Sequence, residues 1–312
     1  MPGRFLSLCV GVTLLWAGFL GQANAKAPHG LKNKPVYYLS LGTSLAAGVQ
    51  ADATGQSVVT DVSYPGLLAD IIAEDVHKLR HVNLGCPGEN SDTFIDGGIC
   101  DFAQGSQLDQ AVRFLHAHGK HTGLITIDLG ANDVLSCVNG TNIDLVCFQE
   151  TVQRLADNLI YVLATLQEAA GPDVPIVGMN YYDPLLAFWF EDPALAAQTV
   201  LLQDQVNTVL ENVYAHFDVP VADVAGAFWA GSFDVDENGN GYPDSVDNIC
   251  AWTWMCVFQN IHPNAVGYQV IADEFAAILP PLNLPRKGCR GGKSHHAKAH
   301  PRPGCRLPVH SR

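Results

Sequence analysis

The sequence predicts an α/β fold in which a parallel β-sheet is covered by helices on both faces. From residue 36 onward, short runs rich in β-branched and aromatic residues alternate with longer segments of helical periodicity. This alternation is typical of a parallel sheet between two helical layers. In addition, 48% of the 312 residues are hydrophobic and only 15% are charged. Such a chain can bury a core, which excludes a disordered or fibrous protein.

Five apolar runs predict the strands of this sheet. The first reads Val-Tyr-Tyr-Leu-Ser-Leu and ends at Gly42, and the third is apolar over most of its length. Runs of this length and composition, bounded by turn residues, are typical of buried strands. The predicted strands are residues 36–41, 81–84, 122–129, 174–179 and 219–222.

Apolar residues spaced three and four apart predict helices between these strands. In the first helix, Leu68, Ile72 and Val76 fall on one face. The predicted helices are residues 65–79, 107–117, 148–169, 194–216 and 264–279. Ligands of open parallel sheets bind beyond the carboxyl ends of the strands. The residues that follow each strand are therefore the first candidates for a functional role.

The first 25 residues have the features of a secretory signal peptide. Arg4 provides positive charge, residues 5–20 form an apolar run, and Ala23-Asn24-Ala25 matches a cleavage site. The run is short for a membrane span, which needs about 20 residues, so cleavage is favoured over an uncleaved anchor. No later segment resembles a transmembrane helix. We therefore expect an exported, soluble protein with one folded domain over 26–285 and a flexible, basic tail over 286–312.

The acidic residues are concentrated in the central part of the chain. All 31 lie between residues 26 and 285, where only eight basic residues occur, giving a formal net charge of −23. Eight of the 17 basic residues lie in the tail. A domain of this sign repels phosphate backbones. Nucleic-acid binding by the domain is therefore not expected.

Eight cysteines remain once the leader, which carries Cys9, is removed. An even number in an exported chain predicts disulfides, and short loops close at the lowest entropic cost. The expected pairs are 86–100, 137–147, 250–256 and 289–305. A zinc site is disfavoured because no C-x-x-C spacing occurs. The small cluster His116, His118 and His121 is interpreted as a solvated helix end rather than a metal site.

Four short motifs lie at the expected strand ends or helix entrances. Ser44 follows the first strand, Gly88 the second and Asn132 the third, while His262 precedes the final helix. A serine at a strand-to-helix turn is exposed, and a nearby histidine can take its proton. The Ser44 and Gly88 N–H groups and the Asn132 amide would supply three donors to an oxyanion. The set predicts an acyl-transfer site.

Each of these residues also has an ordinary structural interpretation. Taken alone, Ser44 would be a helix cap, Gly88 and Asn132 turn residues, and His262 a loop residue. The four together, in order, favour the catalytic interpretation. The G-x-S-x-G elbow of α/β-hydrolases is excluded, because in that fold many residues precede the elbow, whereas only residues 26–43 precede Ser44 here.

The order Ser44, Gly88, Asn132, His262 resembles the four blocks of the GDSL or SGNH hydrolases. The resemblance spans about residues 36–280 and implies a three-layer α/β/α, flavodoxin-like fold and ester hydrolysis through an acyl-enzyme. Two positions depart from the family pattern. Thr43 replaces the Asp before the nucleophile, and Gln259 replaces the usual Asp three residues before the histidine. Three candidates remain for the group that orients His262: Gln259, a distant Asp and a main-chain carbonyl. Similarity to secreted streptomycete members favours the carbonyl.

An acidic loop upstream of His262 matches the spacing of a calcium-binding loop. Oxygen donors occupy positions 1, 3, 5, 7, 9 and 12 of the loop, and Gly241 occupies position 6. The candidate ligands are Asp236, Asn238, Asn240, Tyr242, Asp244 and Asp247. The loop resembles those of thrombospondin type 3 repeats, in which a cysteine follows closely, as Cys250 does here. We expect a structural calcium ion and no catalytic cofactor, and the alternative is a solvated acidic turn.

The substrate is less well defined by the sequence. Aromatic residues that either line an apolar acyl pocket or pack in the core are Tyr181, Tyr182, Phe188, Trp189, Phe190, Trp252 and Trp254. The favoured function is a secreted, monomeric serine esterase or lipase acting on a small-molecule or lipid ester. A carbohydrate O-acetyl esterase on the same scaffold and a non-enzymatic, calcium-dependent surface-binding protein are the alternatives.

Overall fold

The computed structural model of the chain describes residues 34–229, 233, 236–237, 239–280 and 282. The predicted signal peptide, the tail from residue 286 and the cysteine couple 289–305 lie outside these residues. Among the described helices, none is long and apolar enough to span a membrane.

The main sheet of the described residues has five strands, and all neighbouring strands run parallel. The strands are β1 Val36–Gly42, β2 Leu79–Asn83, β3 Thr122–Asp128, β4 Ile176–Met179 and β5 Val221–Ala222. Their order in the sheet is β2-β1-β3-β4-β5, which is the flavodoxin-like order. All five predicted strands are confirmed, with ends that differ from the prediction by no more than a few residues.

Helices connect these strands and cover both faces of the sheet. They are α1 Ser44–Ala47, α2 Tyr64–Asp75, α3 Ser91–Asp96, α4 Gln107–His118, α5 Ala131–Leu135, α6 Leu145–Ala170, α7 Pro193–His216, α8 Val224–Ala227, α9 Asp244–Trp252, α10 Met255–Phe258 and α11 Ala265–Ala277. Two 3₁₀ helices span Gly119–His121 and Pro184–Phe190. Helix α2 packs on α11, while α4 packs on α6, which also contacts α7. The sheet therefore lies between two helical groups, as predicted.

Three short antiparallel strand pairs lie outside the main sheet in the described residues. In the described part of the chain, Val49–Ala51 pairs with Ser57–Val59, Val138–Asn139 with Asn142–Ile143, and Thr253–Trp254 with Asn260–Pro263. The last pair carries His262. None of these strand pairs was predicted, because two- to four-residue strands have no distinctive hydrophobic period.

The ends of two helices show which local interactions overrode the hydrophobic pattern. Helix α2 ends at Asp75 instead of residue 79, because Val76 is extended and Lys78 has a positive φ of 64°. Helix α6 begins three residues before the predicted start, because the Asp144 carboxylate accepts hydrogen bonds from the N–H groups of Val146 and Cys147. Such a cap satisfies amides that have no partner within the helix.

The central strands are buried on both faces. Consecutive residues Tyr38 and Leu39 are both fully buried in β1, and so are Leu124 and Ile125 in β3. Since side chains alternate across a strand, this pattern requires cover on both sides, as parallel sheets have. Each buried side chain of this size contributes about 1.5–3 kcal/mol to folding.

Three disulfides lie in the described residues, and their pairing is as predicted. Cys86 bonds to Cys100, Cys137 to Cys147, and Cys250 to Cys256. Each bond closes a loop close in sequence to one of the predicted functional motifs. The disulfides therefore limit the movement of the loops that carry those motifs.

Candidate active site

Ser44 lies at the sharp turn between β1 and α1, where it is the first helical residue. Thr43 caps the helix, and its hydroxyl accepts the N–H of Leu45. Gly42 has a φ of 136°, and a Cβ atom there would collide with the Asp128 backbone oxygen. The turn therefore requires glycine, and it places Ser44 at the carboxyl end of the sheet, 9% exposed.

A buried carboxylate on the adjacent strand holds this turn in place. Asp128, the last residue of β3, accepts hydrogen bonds at Oδ1 from the Thr43 N–H (2.9 Å) and hydroxyl (2.7 Å). Its Oδ2 accepts one from the Tyr64 hydroxyl, at 2.9 Å. Complete burial raises the pKa of Asp128 to about 7, although these hydrogen bonds act in the opposite direction. Asp128 thus ties the turn that carries Thr43 to the neighbouring strand.

Gln107 joins the same turn to the segment after β2. Its side-chain oxygen accepts the Gly42 N–H at 2.7 Å, and its amide donates to the Gly42 carbonyl and to Glu89 Oε2. Glu89 is fully buried, and burial raises its pKa. These contacts fix the first and second motifs relative to each other. Sequence reasoning missed both Asp128 and Gln107, because neither lies within a motif.

His262 lies on the short strand Asn260–Pro263 and is held by a side chain two residues upstream. Its Nδ1 lies 2.7 Å from Asn260 Oδ1, which also accepts the His262 backbone N–H at 3.1 Å. Since that oxygen is an acceptor, Nδ1 carries the proton and Nε2 keeps its lone pair. Burial lowers the pKa of His262 to about 4. The ring is therefore neutral at pH 7 and can accept a proton at Nε2.

The expected orienting groups for His262 are not the ones found. Gln259 is exposed and takes a left-handed conformation, with φ 53°, at the end of α10. The favoured expectation, a main-chain carbonyl, is also wrong, because the ring nitrogen contacts the Asn260 amide oxygen. In the family pattern the orienting residue lies three residues before the histidine, whereas here the partner of the ring, Asn260, lies two residues before it.

Asn132 lies in the first turn of α5, directly after β3. Its side-chain amide donates to the Glu89 carbonyl at 2.8 Å, which joins it to the turn that contains Gly88. Gly88 has a φ of 86° and is exposed. The neighbouring Asp133 accepts hydrogen bonds from the Ser91 N–H and hydroxyl. The second and third motifs are therefore in direct contact.

A narrow pocket brings three of the four predicted residues together. Ser44, Asn132 and His262 are among its lining residues, whereas Gly88, which is also described, is not. The cavity volume is about 70 Å³. The remaining wall is mostly apolar and includes Val134, Leu135, Val138, Ile143, Phe148, Leu202 and Val206. An apolar pocket beside a few convergent polar groups is the usual form of a small-molecule site.

Two of the seven predicted aromatic residues, Tyr181 and Tyr182, line this pocket. The others are not among the residues that line it. Trp189 stacks on Phe233, and Phe190 contacts Tyr242 edge-on. Trp252 packs edge-on against Phe228, and Trp254 packs at a tilt against Phe258. Most of these rings therefore serve packing rather than the pocket.

The predicted calcium loop is organised by hydrogen bonds to its acidic residues. The Asp236 carboxylate accepts the N–H groups of Asn240 and Gly241, and the Asn240 amide donates to Asp247. Asp244 accepts the N–H of Glu237. Asn238 lies outside the described residues. Within the described ones, no group of three or more His, Cys, Asp or Glu side chains is placed to hold a metal.

The fold and the pocket together define an α/β protein in which Ser44, after the first strand of the parallel sheet, and His262, on a separate antiparallel pair of strands, line one pocket. The sequence between residues 40 and 270 matches the GDSL-like lipase/acylhydrolase family. This chain therefore belongs to the GDSL-like lipase/acylhydrolase family and has the SGNH-type α/β fold. No curated protein matches the sequence.

Several solved structures show a partial likeness to this one, each with a TM-score below 0.5. The lipase Lip_vut3 from a goat rumen metagenome is 17% identical, covers 78% of this chain and 96% of its own, and has a TM-score of 0.49. Phospholipase A1 from Streptomyces albidoflavus NA297 is 17% identical over 78% and 99% of the two chains, with a TM-score of 0.48. A catalytic mutant of Axe2, an acetylxylan esterase from Geobacillus stearothermophilus, is 16% identical over 78% and 93%, with a TM-score of 0.46.

Proposed function

We propose that this chain is a secreted serine ester hydrolase in which Ser44 is the nucleophile and His262 the general base. The observation that carries the proposal is the shared pocket of Ser44, Asn132 and His262. In support, the histidine is held with its proton on Nδ1, so that Nε2 can accept one. A neutral ring is the form that a general base needs.

The proposed reaction proceeds in two steps. The Ser44 hydroxyl attacks the ester carbonyl while its proton passes to His262 Nε2, and the resulting oxyanion is stabilised by the N–H groups of Ser44 and Gly88 and by the Asn132 amide. Collapse expels the alcohol, which takes the proton from His262, and leaves an acyl-Ser44 ester. In the second step, water attacks the acyl-Ser44 ester while its proton passes to His262 Nε2. Collapse then releases the acid, and Ser44 leaves with the proton from His262.

The pocket supports an ester with a short apolar acyl group. The cavity volume of about 70 Å³ is small, which favours a short acyl group. An apolar wall favours methylene groups over sugar hydroxyls, because an unpaired hydroxyl is costly to bury. Butyrate to hexanoate esters are therefore the proposed best substrates.

Ester hydrolysis is tested with p-nitrophenyl esters from acetate to palmitate, comparing the wild-type protein with Ser44→Ala. We expect kcat/KM to peak between butyrate and hexanoate and to fall steeply for palmitate. Activity confined to acetate would instead favour a carbohydrate O-acetyl esterase. A folded wild-type protein that hydrolyses none of the esters would refute the proposal and favour a binding protein.

Export and processing form part of the same proposal. Cleavage after Ala25 would leave a monomeric enzyme with its basic tail, and three disulfides are consistent with an oxidising compartment. Amino-terminal sequencing of protein recovered from the culture medium should begin at Lys26. Retention of residues 1–25 on secreted protein would contradict cleavage at this site.

We also propose that the loop from Asp236 to Asp247 binds a structural calcium ion. The donors at alternating positions fit this cation, which prefers oxygen ligands. The acceptance of the Asn240 and Gly241 N–H groups by Asp236 supports a loop that folds around its first carboxylate. When bound, the ion would stabilise the segment that leads to Cys250 and His262.

A further inference from the structure

The partner of the His262 ring is a neutral amide instead of a carboxylate. We propose that Asn260 is the positioning residue of the catalytic set, and that its neutrality keeps His262 competent as a base in mildly acidic medium. This inference rests on the proposed function, in which His262 takes the proton of Ser44. It adds Asn260 to Ser44 and His262 as a third residue of the catalytic set, and it predicts the pH range over which the enzyme is active.

The geometry fixes which end of the Asn260 amide faces the histidine. The Asn260 nitrogen donates to Ser57 Oγ at 2.9 Å and to the Gly55 carbonyl at 3.3 Å. Its oxygen therefore faces His262, where it accepts both the backbone N–H and the ring Nδ1–H. Asn260 is only 9% exposed, so water competes little for these bonds. Hydrogen bonds at both the amide nitrogen and the amide oxygen therefore fix the orientation of the Asn260 side chain.

The hairpin 49–59 is the support for Asn260. It supplies both acceptors, the Gly55 carbonyl in its turn and Ser57 Oγ on its second strand. A Cβ atom at Gly55 would press against the Phe258 ring, only 3.0 Å away. The hairpin therefore packs closely on the segment that leads to His262. Asparagine, unlike aspartate, can donate to these two acceptors while it accepts from the ring.

The titratable groups on the elements around His262 do not replace the missing carboxylate. The phenols of Tyr182 and Tyr268 donate to backbone carbonyls, and burial raises the pKa of both, so they stay neutral. Asp52 lies in the exposed turn of the hairpin and accepts from Thr54. Asp183 lines the same pocket and has a pKa raised by burial to about 6, so it too becomes neutral in acid. Burial is the cause of the low pKa of His262.

A neutral partner has two opposite effects on catalysis. A carboxylate at this position would stabilise the imidazolium that forms during the reaction, but it would also favour the protonated ring in the free enzyme. Asn260 orients the ring without adding charge. The free enzyme therefore keeps an unprotonated base to a lower pH than a Ser-His-Asp enzyme does.

The test compares Asn260→Asp, which adds charge, with Asn260→Leu, which removes the acceptor, and Gln259→Ala serves as the control. kcat/KM for p-nitrophenyl butyrate is measured from pH 4 to pH 9, with the product read after alkaline quenching. The wild-type acid limb should lie below about pH 5.5, and Asn260→Asp should move it up by about one pH unit or more. Asn260→Leu should lower kcat about a hundredfold with little change in KM. Gln259→Ala should stay within about threefold.

Histidine NMR titration makes the outcome independent of how well the Asp variant folds. The His262 ring signal is assigned by its absence in His262→Gln. A wild-type ring that protonates above pH 6.5, an acid limb unmoved in folded Asn260→Asp, or full activity in Asn260→Leu would each overturn the inference. An active wild-type enzyme with any of these results refutes only the role of Asn260, whereas a wild-type protein inactive at every pH refutes the proposed function.

Discussion

Replacing Asp128 with asparagine should reduce the dependence of protein stability on pH. Asp128 is fully buried beneath the Ser44 turn, and its pKa in the folded protein is about 7. In the unfolded chain an aspartate titrates near 3.9. Between these values the folded state binds more protons than the unfolded state, so the free energy of unfolding falls as pH rises.

The size of this effect follows from the two pKa values. One pKa unit corresponds to 1.36 kcal/mol, so between pH 4.5 and pH 8 this group removes about 3 kcal/mol of stability from the wild-type protein. The asparagine side chain can keep the hydrogen bonds, because its oxygen accepts from Thr43 and its amide donates to the Tyr64 hydroxyl. Without a titrating proton, the variant should gain about 3 kcal/mol relative to wild type over this pH interval.

Urea unfolding at pH 4.5 and pH 8, with the disulfides intact, measures the difference between the two proteins. Other groups with shifted pKa values are present in both proteins, so their contributions cancel in the difference between the two free energies of unfolding. The exposed Asp157→Asn is the control and should differ from wild type by less than about 0.5 kcal/mol at both pH values. A stability difference between Asp128→Asn and wild type that is the same at both pH values would show that folding does not raise the pKa of Asp128.

Two further predictions concern the calcium loop and the disulfides. Removal of calcium with EGTA should lower the melting temperature by a few degrees, because a ligand at a hundred times its Kd stabilises by about 2.7 kcal/mol. The response should vanish in Asp247→Ala, and equal wild-type melting temperatures with calcium and with EGTA would identify the loop as an ordinary acidic turn. Replacing Cys86 and Cys100 with serine should cost about 3 kcal/mol of stability, as expected for a loop with a sequence separation of 14. Non-reducing peptide maps should show this pair, and a crossed linkage would contradict the scheme.

The sequence was sufficient to predict the five strands of the main sheet and the five longest helices, because their hydrophobic patterns are long enough to show a period. The six shorter α-helices of the described residues, from four to nine residues long, were not predicted. The end of α2 could not be predicted in the same way. Val76 continues the helical hydrophobic pattern and is indeed buried, but it is buried as an extended residue that leads into β2. Burial alone does not distinguish the two conformations when the chain turns toward the sheet.

The residues of the candidate site also fall into two groups, those marked by a local sequence pattern and those whose role depends on contacts distant in sequence. Ser44, Asn132 and His262 were predictable because each adjoins a strand or helix end that a local pattern marks. Asp128 was not, since its role depends on β3 lying beside β1 in the folded sheet. Gln107 was not either, since it reaches Gly42 from the start of helix α4. Asn260 could have been considered from its position two residues before His262, but its amide direction depends on the hairpin that contacts it from 203 residues away in sequence.

Covalent labelling by a fluorophosphonate reports directly on whether Ser44 is an activated nucleophile. The reagent is attacked by the serine hydroxyl and loses fluoride, so the site is identified by peptide mass spectrometry. The wild-type protein should carry one adduct, on the peptide that contains Ser44, and labelling should persist in Ser136→Ala but disappear in folded Ser44→Ala. An adduct on another serine, or a folded and hydrolytically active protein that is not labelled at Ser44, would contradict the account.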